Sequence, residues 1–219
     1  MKQFLRENGL SLVLVLLTLL TLGGQLLVGW HTFNDELSDY GQATLPFSSY
    51  LTSGHCIEAV FENWESEFLQ MGLYVLLTVK LYQKGSAESK SLDEPGDVDR
   101  PPSASRPNAP WPVRRGGWLL WLYQYSLSIA FLLLFGLSFL LHAIGGVKAY
   151  NLENALKGKA ESLSLWQFLG TSELWFQSLQ NWQSEFLSVL SIVVLSIFLR
   201  QKGSPQSKPI DAPNGQTGE

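Results

Sequence analysis

The chain has 219 residues, with 15 Lys+Arg against 19 Asp+Glu and a net charge of −4. That balance lacks the basic surplus of a nucleic-acid binder, so no nucleic-acid partner is expected. One cysteine, Cys56, excludes an internal disulfide framework and any multi-thiolate metal site, and three histidines leave little for a histidine-rich centre. No metal and no cofactor is expected. Charged residues make up 16% of the chain, against the roughly 25% of soluble domains, and the deficit is concentrated in a few stretches.

Residues 10–30 (LSLVLVLLTLLTLGGQLLVGW) run 21 positions without a formal charge. At 1.5 Å per residue they can cross a hydrocarbon core of about 30 Å. No small-x-small cleavage site follows, so the segment reads as a retained anchor rather than a cleaved signal peptide. The next apolar run, 68–79, is 12 residues; it crosses a bilayer only by borrowing upstream residues from about Phe61. Residues 83–112 hold six of the ten prolines, a composition that buries no core and reads as a spacer. An uncharged stretch follows over 116–147, with a Trp/Tyr-rich lead containing Trp118, Trp121, Tyr123 and Tyr125. The last apolar run, 186–199, again needs upstream residues, from about Leu179, and the polar tail 203–219 reads like the spacer.

The expected organisation is therefore all-α and polytopic, with four transmembrane helices. A first repeat over 1–90 holds spans at about 8–30 and 61–82 around a loop at 31–60. A spacer, expected disordered, covers 91–117. A second repeat over 118–202 holds spans at about 121–147 and 179–200 around a loop at 148–178, and a disordered tail follows at 203–219. Lys2, Arg6, the spacer's basic residues and Arg200, Lys202 and Lys208 all lie on one side of this scheme, whereas residues 31–68 contain no Lys or Arg. The positive-inside rule places both termini and the spacer in the cytoplasm of a cell's inner membrane and both loops outside.

The chain is also duplicated. NWESEFL at 63–69 matches NWQSEFL at 181–187 in six of seven positions, and QKGSAESK at 83–90 matches QKGSPQSK at 201–208 in six of eight, both at an offset of 118. With a one-residue gap upstream, Ser11 pairs with Ser128, Gln25 with His142 and Asn34 with Asn151. Each unit holds two spans, so both copies enter the membrane the same way round, as two tandem helical hairpins in a parallel pseudo-twofold repeat. The order of a leucine-rich first span, YLTSG at 50–54, NWESEFLQ at 63–70 and QKGSAESK at 83–90 resembles a family of bacterial four-span integral membrane proteins of unknown function. The resemblance covers nearly the whole chain. It implies location and topology and carries no activity with it.

Polar residues in the spans are the candidate site. Asn63, Ser66, Glu67, Gln70, Tyr74 and Thr78 share one face of the second span, and Asn181, Ser184, Glu185, Ser188 and Ser196 repeat it in the fourth. Ser11, Thr18, Thr21 and Gln25 in the first span, and Ser128, Ser138 and His142 in the third, form shorter stripes. Because lipid offers no hydrogen bonds, these faces are expected to turn inward. Glu67 and Glu185 form a symmetric carboxylate pair, a feature of ion and proton pathways when it lies at membrane depth. The plainer reading puts them at the outer headgroup level beside Trp64 and Trp182, with the small polar residues serving helix packing. His142 offers a proton relay or simply a hydrogen bond to a neighbouring helix. His55, Glu58, Glu62 and Glu65 share another face, which reads as an exposed acidic surface before it reads as a cation site. No P-loop, GxGxxG, HExxH or GxSxG is present, so no enzyme is expected.

Two functional readings result. One is a non-enzymatic structural or partner-binding membrane protein, with the bilayer and a second copy or another membrane protein as partners. The other is a small ion- or proton-coupled transporter or channel with Glu67 and Glu185 lining the repeat interface.

Overall fold

The computed structural model describes residues 2–92 and 96–218, and the expected spacer therefore includes three positions, 93–95, outside the described residues. The described chain is helical: α1 (Lys2–Asp39), α2 (Phe47–Tyr50), α3 (Gly54–Lys80), a 3₁₀ turn (Asp97–Asp99), α4 (Trp111–Arg115), α5 (Gly117–Gln124), α6 (Ser126–Leu156), α7 (Leu165–Phe168) and α8 (Ser172–Phe198). Three of these helices, α1, α6 and α8, are long and apolar enough to cross a membrane. At 27 residues α3 has comparable length, but Glu58, Glu62, Glu65 and Glu67 fall in its first half and lower its apolar character.

On the loop side the helices run past the expected spans, α1 to Asp39, α3 from Gly54, α6 to Leu156 and α8 from Ser172, whereas α3 and α8 stop at Lys80 and Phe198, two residues short of the expected ends. The expected span at about 121–147 is divided: the Trp/Tyr lead forms α5, Tyr125 leaves helical geometry at φ −109° and ψ 6°, and α6 continues to Leu156.

The chain divides into two compact units. One takes the chain up to Phe61 together with Leu140–Leu174; the other takes Glu62–Phe139 and the chain from Trp175 onward. In the first unit, α1 and α6 end in the same way. Gly41 (φ 68°) follows α1 with Gln42 N donating to Leu37 O, and Gly158 (φ 71°) follows α6 with Lys159 N donating to Asn154 O. Both are six-to-one glycine caps, which need the left-handed backbone that glycine adopts without a Cβ clash.

A carboxamide then ties each helix to the segment after it. Asn34 Oδ1 accepts from Leu45 N at 2.7 Å and its Nδ2 donates to Leu45 O at 3.0 Å. Asn151 makes the same two bonds with Leu163, at 2.9 Å to the carbonyl and 2.7 Å from the amide. Each clamp delivers the chain into a four-residue helix whose last aromatic is buried, Tyr50 in α2 and Phe168 in α7. Tyr50 and Phe168 approach Gly29 and Gly146 so closely that a Cβ would collide with the Tyr50 hydroxyl at the first and with the Phe168 ring at the second. The unit's core joins Phe33, Leu37, Tyr50 and Cys56 to Leu26, Trp30, Leu45, Phe47 and Leu156.

In the second unit α3, α6 and α8 pack with small and polar residues, as in Gly72 of α3 against Phe131 of α6. The two glutamine–lysine blocks fold as matching turns, with Gln83 N donating to Ser89 Oγ at 3.0 Å and Gln201 N donating to Ser207 Oγ at 2.9 Å. The tail, whose composition predicts disorder, is drawn into turns over 203–218. Lys208 Nζ donates to Asn214 O and Gln216 O, each at 2.9 Å, Arg200 Nη2 donates to Ala212 O at 3.0 Å, and Gly85 N donates to Thr217 Oγ1 at 2.8 Å. Here two cations supply the donors that an irregular backbone lacks.

Candidate functional site

Within the second unit the polar residues of α3 and α8 meet along a seam. Asn181 Nδ2 donates to Glu62 Oε1 at 2.6 Å, and Trp182 Nε1 donates to Glu65 Oε1 at 3.3 Å. One to two turns on, Gln70 Nε2 donates to both Glu185 O and Ser188 Oγ at 2.9 Å. Gln70 and Ser188 stand 118 residues apart, the same offset that separates NWESEFL from NWQSEFL. The floor is closely packed: Glu65 is fully buried, and Ser66 and Gln70 are nearly so. A buried carboxylate is tolerable only with hydrogen-bond donors, and the indole N–H of Trp182 is one. Trp182 is held in turn by edge contacts with Trp175 and Phe135, at ring separations of 6.3 and 6.1 Å.

The expected residues distribute as follows. Ser66 is buried and turns its hydroxyl to Asn63 O at 2.7 Å, while Asn63 and Glu67 are exposed. Asn181 and Glu185 are half-buried and Ser184 is exposed. The acidic face expected to be exposed is divided: Glu65 lies buried against α8 because its place on the helix turns it toward Trp182, and Glu62 is taken by Asn181. Glu65 was legible only as a glutamate three residues beyond Glu62. Its burial depends on which helix packs against that face, and the sequence does not state that.

In the first unit Gln25 is exposed and donates to Ala59 O at 3.1 Å, while His142 is completely buried. Thr18 and Thr21 do not turn to a neighbour. They are exposed and return their hydroxyl protons to Leu14 O and Leu17 O, the local bond that lets a hydroxyl face lipid.

His55 stacks at 5.0 Å on Phe33 and lies 3.3 Å from the Tyr50 hydroxyl. Burial holds its imidazole below the ordinary range, with the Glu36 charge opposing the shift. The same burial pushes the Cys56 thiol up and the Tyr50 phenol up to about 12. Thus the one cysteine sits as a packed apolar group, without the depressed pKa of a nucleophile. Among the described residues no group of three or more His, Cys, Asp and Glu side chains is arranged to hold a metal ion.

A family model described as a domain of unknown function, DUF6766, matches residues 1–219. The chain belongs to that family. No curated protein and no solved structure matches this chain. Membership thus covers the whole length of the chain, and the family description leaves the role of the α3–α8 seam to be argued from its geometry.

Proposed function

We propose that this DUF6766 protein is a non-enzymatic, multi-pass protein of the inner membrane, a structural or partner-binding component whose polar span residues hold its own helices together. In this reading α1, α3, α6 and α8 are four spans. They form two tandem hairpins related by a pseudo-twofold axis, with both termini cytoplasmic. The duplication is supported by the repeated asparagine clamps, glycine caps and buried aromatics, and by the meeting of Gln70 with its equivalent Ser188. The observation that carries the reading is the seam itself. Its polar groups are used in bonds between α3 and α8, from Glu62–Asn181 through Glu65–Trp182 to Gln70–Ser188. Such bonds are the means by which helices associate where lipid gives no hydrophobic drive.

A second reading, a proton- or cation-coupled path past Glu67 and Glu185, is favoured by the recurrence of a glutamate at the same offset of 118 in α3 and α8. One set of variants separates them. On the packing reading, Gln70→Ala and Glu65→Ala lower the thermal midpoint of the detergent-solubilised protein. Glu67→Gln and Glu185→Gln leave both that midpoint and the proton permeability of reconstituted vesicles at wild-type values. Loss of a wild-type proton flux in Glu67→Gln or Glu185→Gln, with stability intact, would replace the packing reading with the path.

A further inference from the structure

Between the later turns of α3 and α8 lies a groove of about 400 Å³, within the roughly 300–1,000 Å³ of ordinary ligand sites. Leu77 and Leu81 line it from α3 and beyond, and Phe186, Val189, Leu190 and Val193 from α8. These walls are not closed: Leu77 is 48% and Leu190 57% exposed. The α8 wall is apolar throughout, and the polar residues of the lining, among them Tyr74, Thr78 and Gln83, come from α3 and the turn after it. There the carboxylate of Glu88, in the turn after α3, accepts from the Tyr74 hydroxyl at 3.1 Å and faces the side-chain amide of Gln206.

Both of those donors, a phenol and a carboxamide, are neutral groups. Lys90, two residues on, is turned away to Val79 O and Asp99, at 2.9 and 2.8 Å. The end of α8 meets this same turn, through Ser196 Oγ with Ser86 Oγ and Ala87 N. The apolar wall on α8 therefore runs away from Glu88, over the eight residues from Val193 back to Phe186, about 10 Å of helix. An acidic end and an apolar trough of that length fit a chain with a cationic head.

We propose that the groove binds one acyl chain of a phospholipid whose headgroup carries a primary ammonium, with the ammonium donating to Glu88. The assignment rests on the reading that α3 and α8 lie in a membrane. Phosphatidylethanolamine supplies such a group. Phosphatidylcholine offers the same charge with no N–H, and phosphatidylglycerol has no ammonium at all. Discrimination among the three thus reports the hydrogen bond to Glu88, a charge-assisted contact whose loss is worth roughly tenfold in affinity.

The test uses the full chain in mild detergent, equilibrated with vesicles holding the three lipids in equal amounts, and then analysed for retained lipid by native mass spectrometry. Wild-type protein is expected to retain phosphatidylethanolamine over phosphatidylcholine by about tenfold, with retention stepping down through the mono- and dimethylated headgroups. Glu88→Gln is expected to abolish the preference, and Leu190→Trp, which fills the trough, to lower retention of every lipid. Equal retention of the three lipids by wild type, or an undiminished preference in Glu88→Gln, overturns the proposal. The methylation series needs no variant, so it decides the matter even if a substitution disturbs folding. Release of the wild-type chain from membranes by alkaline carbonate would instead overturn the membrane reading beneath it.

Discussion

At the scale of single residues, the first unit depends on side chains that do the work of backbone. Asn34 and Asn151 each satisfy both the N–H and the C=O of one leucine in an otherwise irregular connection. Replacing either with alanine strands two partly buried backbone groups, which costs roughly 1–3 kcal/mol. We expect Asn34→Ala and Asn151→Ala each to lower the thermal midpoint in detergent, and Asn34→Asp, which keeps the acceptor and loses the donor, to fall between. Equal midpoints for Asn34→Ala and wild type would mean the clamp is ornamental. His55 gives this unit a pH dependence of definite sign. Its folded pKa lies below the ordinary value because burial disfavours the imidazolium. Between that folded value and the unfolded value of about 6.5 the unfolded chain binds more protons, so stability rises with pH across the window and is lost as pH falls through it. Thermal midpoints measured from about pH 5 to about pH 8 should rise across that interval, and the slope should flatten in His55→Gln.

At the scale of elements, close approach of two helices is set by glycine. A Cβ on Gly54 of α3 would come within 2.6 Å of Ala149 N and 2.8 Å of Gly145 O in α6, and one on Gly145 would meet the backbone of Glu58. These neighbours are main chain, so they cannot rotate aside. Gly145→Ala is therefore expected to destabilise the protein by roughly 1–3 kcal/mol or to prevent its accumulation, as overpacking does. Gly136→Ala, at a site with open space around it, serves as the control and should leave the midpoint unchanged. The boundary between α5 and α6 is an element-scale difference from the expected span at 121–147. Charge-free sequence there is continuous, and only the turn at Tyr125 separates an exposed aromatic segment, with Trp118 72% and Trp121 59% exposed, from the long apolar helix. Exposed tryptophan and tyrosine at the start of a span suit the headgroup layer.

At the scale of the whole molecule, the proposed topology makes a sharp statement about access. Single cysteines introduced into a Cys56→Ala background at Asp39 and Lys159, in the two loops proposed to face outward, should react with a membrane-impermeant maleimide in intact cells. A cysteine at Ser103 in the spacer should react only after the cells are opened. Labelling of Ser103→Cys in intact cells, or protection of the loop sites, would reverse or break the four-span scheme. Cys56 is an internal standard for the unsubstituted protein: 4% exposed, with its thiol pushed up by burial, it should resist the reagent until the fold is lost.

Composition and periodicity alone determined that the chain is helical and rich in segments apolar enough for a membrane, and they located the polar stripe running through Ser66 and Gln70. These are properties of local sequence: hydropathy over about twenty residues and a 3.6-residue repeat are written in the chain itself. The tertiary structure alone decided which polar residues are buried. Glu65 and Glu67 stand two positions apart in one glutamate-rich segment, yet one is packed against Trp182 and the other is exposed. It also decided that Thr18 and Thr21 bond to their own helix, and that Lys208 gathers the tail through backbone carbonyls. Each of these turns on which surface a helix or turn meets. Partners 115 or more residues away, as Gln70 and Trp182 have, leave no trace in local periodicity.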